Sequence, residues 1–191
     1  MVRAPLFTVS LTSSVILVRP VPEDNFDTYQ ILLVERTARE GDRFMNAHVF
    51  PGGQVDALDN GDYRRAALRE LYEETSLHLQ RDSSSGNPRK VIPQTVEADT
   101  SRTPYTEYLN ARGVGSAEDY LIPYSRWIAP NFMPKRFDTH FFLAVASPSR
   151  TQAEGKVDGK EIKSLAWLTP TEALEQFSRR KIQLFPPQWY T

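Results

Sequence analysis

A chain of 191 residues is long enough for one well-cored domain and short for two, and 40% apolar with 25% charged residues is an ordinary globular make-up. A formal net charge of -1 supplies no basic field for nucleic acid or for a membrane surface. The lack of cysteine excludes a disulfide scaffold, a thiol nucleophile and a cysteine zinc site, and it fits an intracellular protein.

The N-terminal MVRAPLFTVSLTSSVILV carries a charge near its start, but hydroxyl residues from Thr8 to Ser14 interrupt its apolar content. No small-residue cleavage site follows, so the segment reads as a first strand over Ser14–Val18 rather than a signal peptide. No apolar run approaches the ~20 residues that cross a bilayer. Val15–Val18 and Ile31–Val34 are continuous apolar runs, which suit strands buried on both faces. His48–Phe50 reads as a brief strand ending at Pro51.

A helix is expected from about Asp62 to Thr75, capped by Asp59 or Asn60. Arg81–Lys90 is polar and rich in breakers, which predicts an exposed loop, and little regular structure is expected from there to Thr103. Tyr105–Arg112 predicts a short helix stopped by Gly113, and Phe141–Ala146 and Leu165–Leu168 predict strands. Thr169 and Glu172 form a capping box with Pro170 at the first helical position, opening a last helix through Ala173, Leu174 and Phe177. Strands and helices mixed in this order predict an α/β layered domain without internal repeats.

The second of these segments, FPGGQVDALDNGDYRRAALRELYEETSL, poses a physical problem. At about 100° per residue, Leu68, Leu71, Tyr72 and Thr75 share one stripe, which places Glu70, Glu73 and Glu74 together on the opposite, outward face. Glu70 and Glu74 are an i,i+4 pair of like charges, and acids late in a helix oppose its dipole. A solvated acidic face would gain nothing from this crowding. A hard divalent cation, Mg²⁺ or Mn²⁺, would relieve it, since such ions take carboxylate oxygens and also bind substrate phosphates. Gly52 and Gly53 would then let backbone approach closely where a side chain would obstruct.

This pattern resembles the Nudix box, G-x5-E-x7-R-E-U-x-E-E-x-G-U, where U is bulky and aliphatic. Gly53 supplies the first glycine, and Arg69, Glu70, Leu71, Glu73, Glu74 and Leu77 supply the second half. Two positions depart from it. The first acid is Asp59, with nine residues between it and Arg69 instead of seven, and Ser76 stands where the family has glycine. The resemblance implies a Nudix-type α/β/α sandwich with a mixed β-sheet between helices, over residues 1–191. A stretch of loops with a short helix is inserted at about 81–126.

What the resemblance implies for function is a hydrolase that cuts a diphosphate linkage with Mg²⁺ or Mn²⁺ held by Glu70, Glu73, Glu74 and a carbonyl of the Gly52–Gly53 turn, Gly53 included. Glu161, placed before Trp167 as a later glutamate often is in the family, shares with Glu70 the candidacy for general base. Arg69 would pair with a glutamate and fix its orientation, or else meet phosphate directly. LLVERTAREGDRFMNAHVFPGG and LIPYSRWIAPNFMPKRFDTHFFLA look like the branch of peroxisomal coenzyme A diphosphatases and their microbial relatives. The branch's coenzyme A signature is matched only in part, by Arg36 and Thr37.

Arg36, Arg43, Lys135 and Arg136 could meet the extra phosphates of coenzyme A, and Phe44, Met45, Phe132 and Phe137 could line a pocket. Substrates with ADP-ribose, NADH or a prenyl diphosphate, and a catalytically silent nucleotide-binding module, are the competing readings. His48 and His140 read as packed histidines, and Asp138 as a metal ligand or a turn cap. The expected partner is a small-molecule diphosphate, with neither nucleic acid nor membrane, and a homodimer is compatible with the sequence. A cytoplasmic or peroxisomal location fits, although the C-terminal QWYT is not an S-K-L type of address.

Overall fold

The computed structural model describes residues 8–21, 28–37, 47–87, 89–97, 103–133, 135–148, 153–157 and 159–190. Its spine is a pair of long parallel strands, β1 (Val9–Pro20) and β8 (Arg136–Ala146), in register from Val9 opposite Arg136 to Val18 opposite Val145. The far end of β1 pairs antiparallel with β2 (Tyr29–Arg36), and its middle pairs with β4 (Gly52–Gln54). Beyond β2 lie β3 (His48–Val49) and β9 (Ile162–Leu168). On the other side β8 carries β7 (Ile122–Ile128) and, over Lys90 and Val91, β6 (Lys90–Thr95), which pairs in turn with β5 (Leu77–Arg81).

The apolar run in β1 is continuous because both faces are covered. Val15 and Leu17 join one core cluster with Leu68, Leu71 and Tyr72 of helix α1 (Tyr63–Thr75). Ile16 joins a second on the opposite face with Ile31, Leu33, Phe141 and Ala173 of helix α3 (Pro170–Ser178). Helix, mixed sheet and helix thus stack as an α/β/α sandwich. The Thr169–Glu172 capping box of α3 forms as expected, and α2 (Tyr105–Arg112) ends at Gly113 in the left-handed conformation, φ 59°.

Several expectations need correction. The first strand begins at Val9, not Ser14, because the hydroxyls of its polar half find partners: Thr12 bonds Thr139 at 2.7 Å, and Ser13 donates to the Tyr63 carbonyl at 2.6 Å. The stretch expected to be loops and a short helix contributes β6 and most of β7. Pro93 hid β6; it is tolerated because β6 meets β8 only at Lys90 and Val91, so the proline needs no donor on that side. A short helix α4 (Pro186–Tyr190) was not anticipated.

Candidate active site

The cap of α1 is Asp62, whose carboxylate takes the N–H groups of Arg64 and Arg65. Neither Asp59 nor Asn60 performs this task. They belong to a preceding 3₁₀ turn, Ala57–Asp59, closed by a reciprocal capping box between Asp56 and Asp59. At the other end, Ser76 adopts the left-handed conformation usually left to glycine (φ 53°, ψ 26°) and its N–H bonds the Tyr72 carbonyl at 2.9 Å. The departure from glycine at this position therefore keeps the glycine-like exit from the helix.

The three glutamates do not share an outward face. Glu74 is only 6% exposed, and Glu70 is also largely covered. The cause is β4, which lies alongside α1 and pairs Gly53 with Ser13 and Gly52 with Ser14. The Gly52 N–H donates to Glu74 Oε2 at 2.9 Å. A Cβ at Gly53 would stand 2.5 Å from both Glu70 carboxylate oxygens, and one at Gly52 would strike Ser14 Oγ and the Ser13 carbonyl. Both glycines are thus required by close approach.

Arg69 is the hub. Its Nε and Nη2 bond the two oxygens of Asp59 at 3.0 and 2.9 Å, and Nη2 also bonds the Gln54 carbonyl at 2.8 Å. Its Nη1 donates to Glu70 at 2.8 Å and to Glu73 at 3.0 Å. All five guanidinium N–H groups are therefore committed, which leaves none for a phosphate. Asp59, 1% exposed, also accepts the Asp56 N–H at 2.9 Å. The 3₁₀ turn shows how the irregular spacing works: two extra residues carry the shorter aspartate up to the arginine.

Burial pushes the carboxyls up. Desolvation raises Glu70 to about 7 against the pull of Arg69, with Glu73 and Glu161 adding repulsion. Glu74 rises well above its ordinary value, first from burial and then from Glu70, with the Gly52 N–H and Arg36 opposing. Glu73 is raised by burial despite its bond to Arg69. Among the described residues, no three acidic or histidine side chains are grouped around one point as they stand, because Arg69 draws Glu73 to its own side.

Arg36 and Glu161 come to this cluster from outside the helix. A bulge between Glu35 and Arg36 ends β2, and the Thr37 N–H bonds the Glu161 carbonyl at 2.8 Å, tying the approach to β9 against it. The charges of both residues act on Glu74. Arg136 is not brought there. It faces Val9, four residues or ~13 Å along β1 from Ser13, and its Nε bonds the Ala129 carbonyl at 3.0 Å. Arg43, Phe44 and Met45 fall outside the described residues. Phe132 is 81% exposed, and Lys135 lies over the Phe137 ring.

Asp138 accepts both forks of Arg126 within the sheet, which hold its carboxyl below the ordinary value. His140 stacks on Tyr63, and His48 is buried in β3. Sequence reasoning missed the Gly52 N–H and the Gln54 carbonyl, since backbone groups leave no mark in residue type. It also read Asp59 as a helix cap or as the first acid of the box and missed its pairing with Arg69, although an acid between a glycine turn and an arginine was the available signal.

Residues 62–191 match the family model described as the NUDT19 Nudix domain, a span that contains Arg69, all three glutamates and Glu161. Putative nudix hydrolase 7 of Caenorhabditis elegans is 31% identical over 173 residues, 85% of this chain and 54% of that protein. Acyl-coenzyme A diphosphatase NUDT19 of Xenopus laevis is 26% identical over 235 residues, 90% of this chain and 60% of that protein. The chain thus spans little more than half the length of these relatives. Among solved structures, a NUDIX hydrolase from Alicyclobacillus acidocaldarius aligns with a TM-score of 0.72 at 20% identity, over 96% of this chain and 89% of that one. The NUDIX domain of Shewanella oneidensis NrtR, solved with ADP ribose, aligns at 0.54 and 15% identity, over 88% and 77%.

Proposed function

From the premise that this chain belongs to the Nudix hydrolase family, as a relative of the NUDT19 Nudix domain, we propose that it is a divalent-cation-dependent diphosphatase acting on nucleoside diphosphate derivatives, with coenzyme A or an acyl-coenzyme A as its substrate. One observation carries the reading. Glu74 is a buried carboxylate with, among the described residues, a single neutral hydrogen-bond donor, the Gly52 N–H, and it sits beside a second, half-neutralised carboxylate, Glu70. Such a pair is costly without a proton or a cation between them.

The residues fit a hard divalent ion. Among the described residues Glu74 Oε1 and Glu70 Oε2 make no hydrogen bond, and Gly53, having no Cβ, lets the Glu70 carboxylate lie against the turn. Glu70, Glu74 and a carbonyl of the Gly52–Gly53 turn would hold Mg²⁺ or Mn²⁺, with Glu73 joining as it leaves Arg69. The bound ion would neutralise diphosphate charge and make a coordinated water acidic enough to attack. Around it the chain's own groups divide the work. Arg69, anchored by Asp59, fixes where Glu70 points. Glu70 and Glu161 stand close enough to interact electrostatically, and one of them takes the proton of the attacking water. Arg36, whose charge reaches Glu74, would meet substrate phosphate.

The coenzyme A assignment leans on the name of the Xenopus relative and on Arg36 and Thr37. A panel of coenzyme A, acyl-coenzyme A, ADP-ribose, NADH and a prenyl diphosphate, with Mg²⁺ or Mn²⁺ and mass-spectrometric product identification, tests it. Coenzyme A cleavage yields 3',5'-ADP and 4'-phosphopantetheine. Release of products only from ADP-ribose or NADH would move the substrate and keep the chemistry; no release from any member would sink both.

A further inference from the structure

On the side of β1 away from the β4 glycine turn, a pocket of about 540 Å³ opens between the first turn of α1 and strands β7 and β8. That volume is typical of small-molecule sites. Aromatic rings form one part of its wall. Tyr63 stacks on His140 with ring centroids 4.0 Å apart and planes at 27°, and Phe142 lines the pocket beside them. The Ser13 hydroxyl, fully buried, holds the Tyr63 carbonyl at 2.6 Å and so fixes the helical turn that carries this ring.

Two guanidinium groups flank these rings. Arg64 lies 5.3 Å over the Phe142 ring and, among the described residues, meets no carboxylate. Arg126 pairs with His140 across β7 and β8, and its charge acts on His140. Its Nε and Nη2 bond Asp138 at 2.8 and 2.7 Å; the carboxylate is 7% exposed, while the arginine side chain is 55% exposed. A buried acid thus orients a surface arginine whose Nη1 makes no hydrogen bond among the described residues. Asp62, also in the lining, accepts the Arg64 and Arg65 N–H groups of the helix with its Oδ1.

We propose that this pocket is a second ligand site, separate from the glutamate cluster, and that it takes a nucleoside monophosphate: the planar base packs against the half-buried rings of Tyr63 and His140, and Arg64 and Arg126 meet the phosphate. Aromatic faces select a flat ring, since stacked and edge contacts add to simple burial. Guanidinium forks with unused donors select phosphate oxygens. The three glutamates are not in the lining and neither nucleotide contact passes through an ion, so binding there needs no Mg²⁺ or Mn²⁺.

The test is calorimetric titration with AMP, adenosine and inorganic phosphate in the presence of a chelator. Wild type and Glu74→Gln should bind AMP equally, more tightly than adenosine or phosphate alone. Arg64→Gln and Arg126→Gln should each weaken AMP about tenfold, the effect of one charge-assisted hydrogen bond. If Arg126→Gln misfolds because Asp138 is left unpaired, the double variant Arg126→Gln, Asp138→Asn keeps the fold and should show the same loss. Three results would overturn the proposal: no AMP binding at millimolar concentration, binding unchanged in folded arginine variants, or binding abolished by Glu74→Gln, which would put AMP in the glutamate cluster. Hydrolysis is not read at any point, so the outcome stands apart from that of the substrate panel.

Discussion

Replacing Asp59 with alanine would remove the acceptor of two Arg69 donors and of the Asp56 N–H from a position that is 1% exposed. Breaking a buried ion pair from one side costs roughly 3–5 kcal/mol, because the remaining charge is stranded. Here Arg69 keeps the Gln54 carbonyl, Glu70 and Glu73, so the expected loss is at the low end, about 3 kcal/mol. With a urea dependence of about 2 kcal/mol per molar, the unfolding midpoint should fall by about 1.5 M. Turnover should fall as well, since Glu70 and Glu73 lose a fixed partner. Asp59→Glu should not rescue either measurement, because the 3₁₀ turn has already brought the backbone close and a longer side chain must fold back. A midpoint that moves by less than about 0.3 M would refute the claim that Asp59 anchors the arginine.

Glu74→Gln should lower hydrolysis by orders of magnitude while the cation-free protein unfolds at an equal or higher urea concentration, because a buried charge is replaced by a neutral shape; retained activity would remove Glu74 from the site. The pH dependence has a defined sign. A carboxyl raised from 4.5 to about 7 favours the folded state below pH 4.5 and loses that contribution as pH rises through 7, so Glu70 alone should cost the cation-free protein about 3 kcal/mol between those limits. Urea midpoints measured with chelator from pH 4.5 to 8 should show this decline, and millimolar Mn²⁺ should flatten it; a midpoint that rises over the same range would contradict the burial argument. Gly53→Ala puts a methyl 2.5 Å from the Glu70 oxygens, so activity should fall well before stability, which overpacking would lower by about 1–3 kcal/mol. Equal kcat for Gly53→Ala and wild type would show that Glu70 need not lie against the turn.

Most of the elements were legible because they depend on neighbours in the chain. The apolar runs of β1 and β2, the Gly113 stop and the Thr169–Glu172 box each follow from spacing within a few residues. The segment after Arg81 was not legible. Pro93 and Pro123 weaken the strand signal, and β6 and β7 are strands because β5 and β8 offer them a ladder, which no local pattern announces.

The sequence by itself determined that Arg69, Glu70, Glu73 and Glu74 share one helix behind a glycine turn, since helical spacing and residue type suffice for that. Only the tertiary structure decided how the charges are divided: β4 folds over the helix, covers Glu74 and takes it with a backbone N–H, while Asp59 and Arg69 pull Glu73 the other way. The reason is physical. A helical wheel fixes directions around an axis, whereas desolvation and pairing depend on what distant segments lay against each direction.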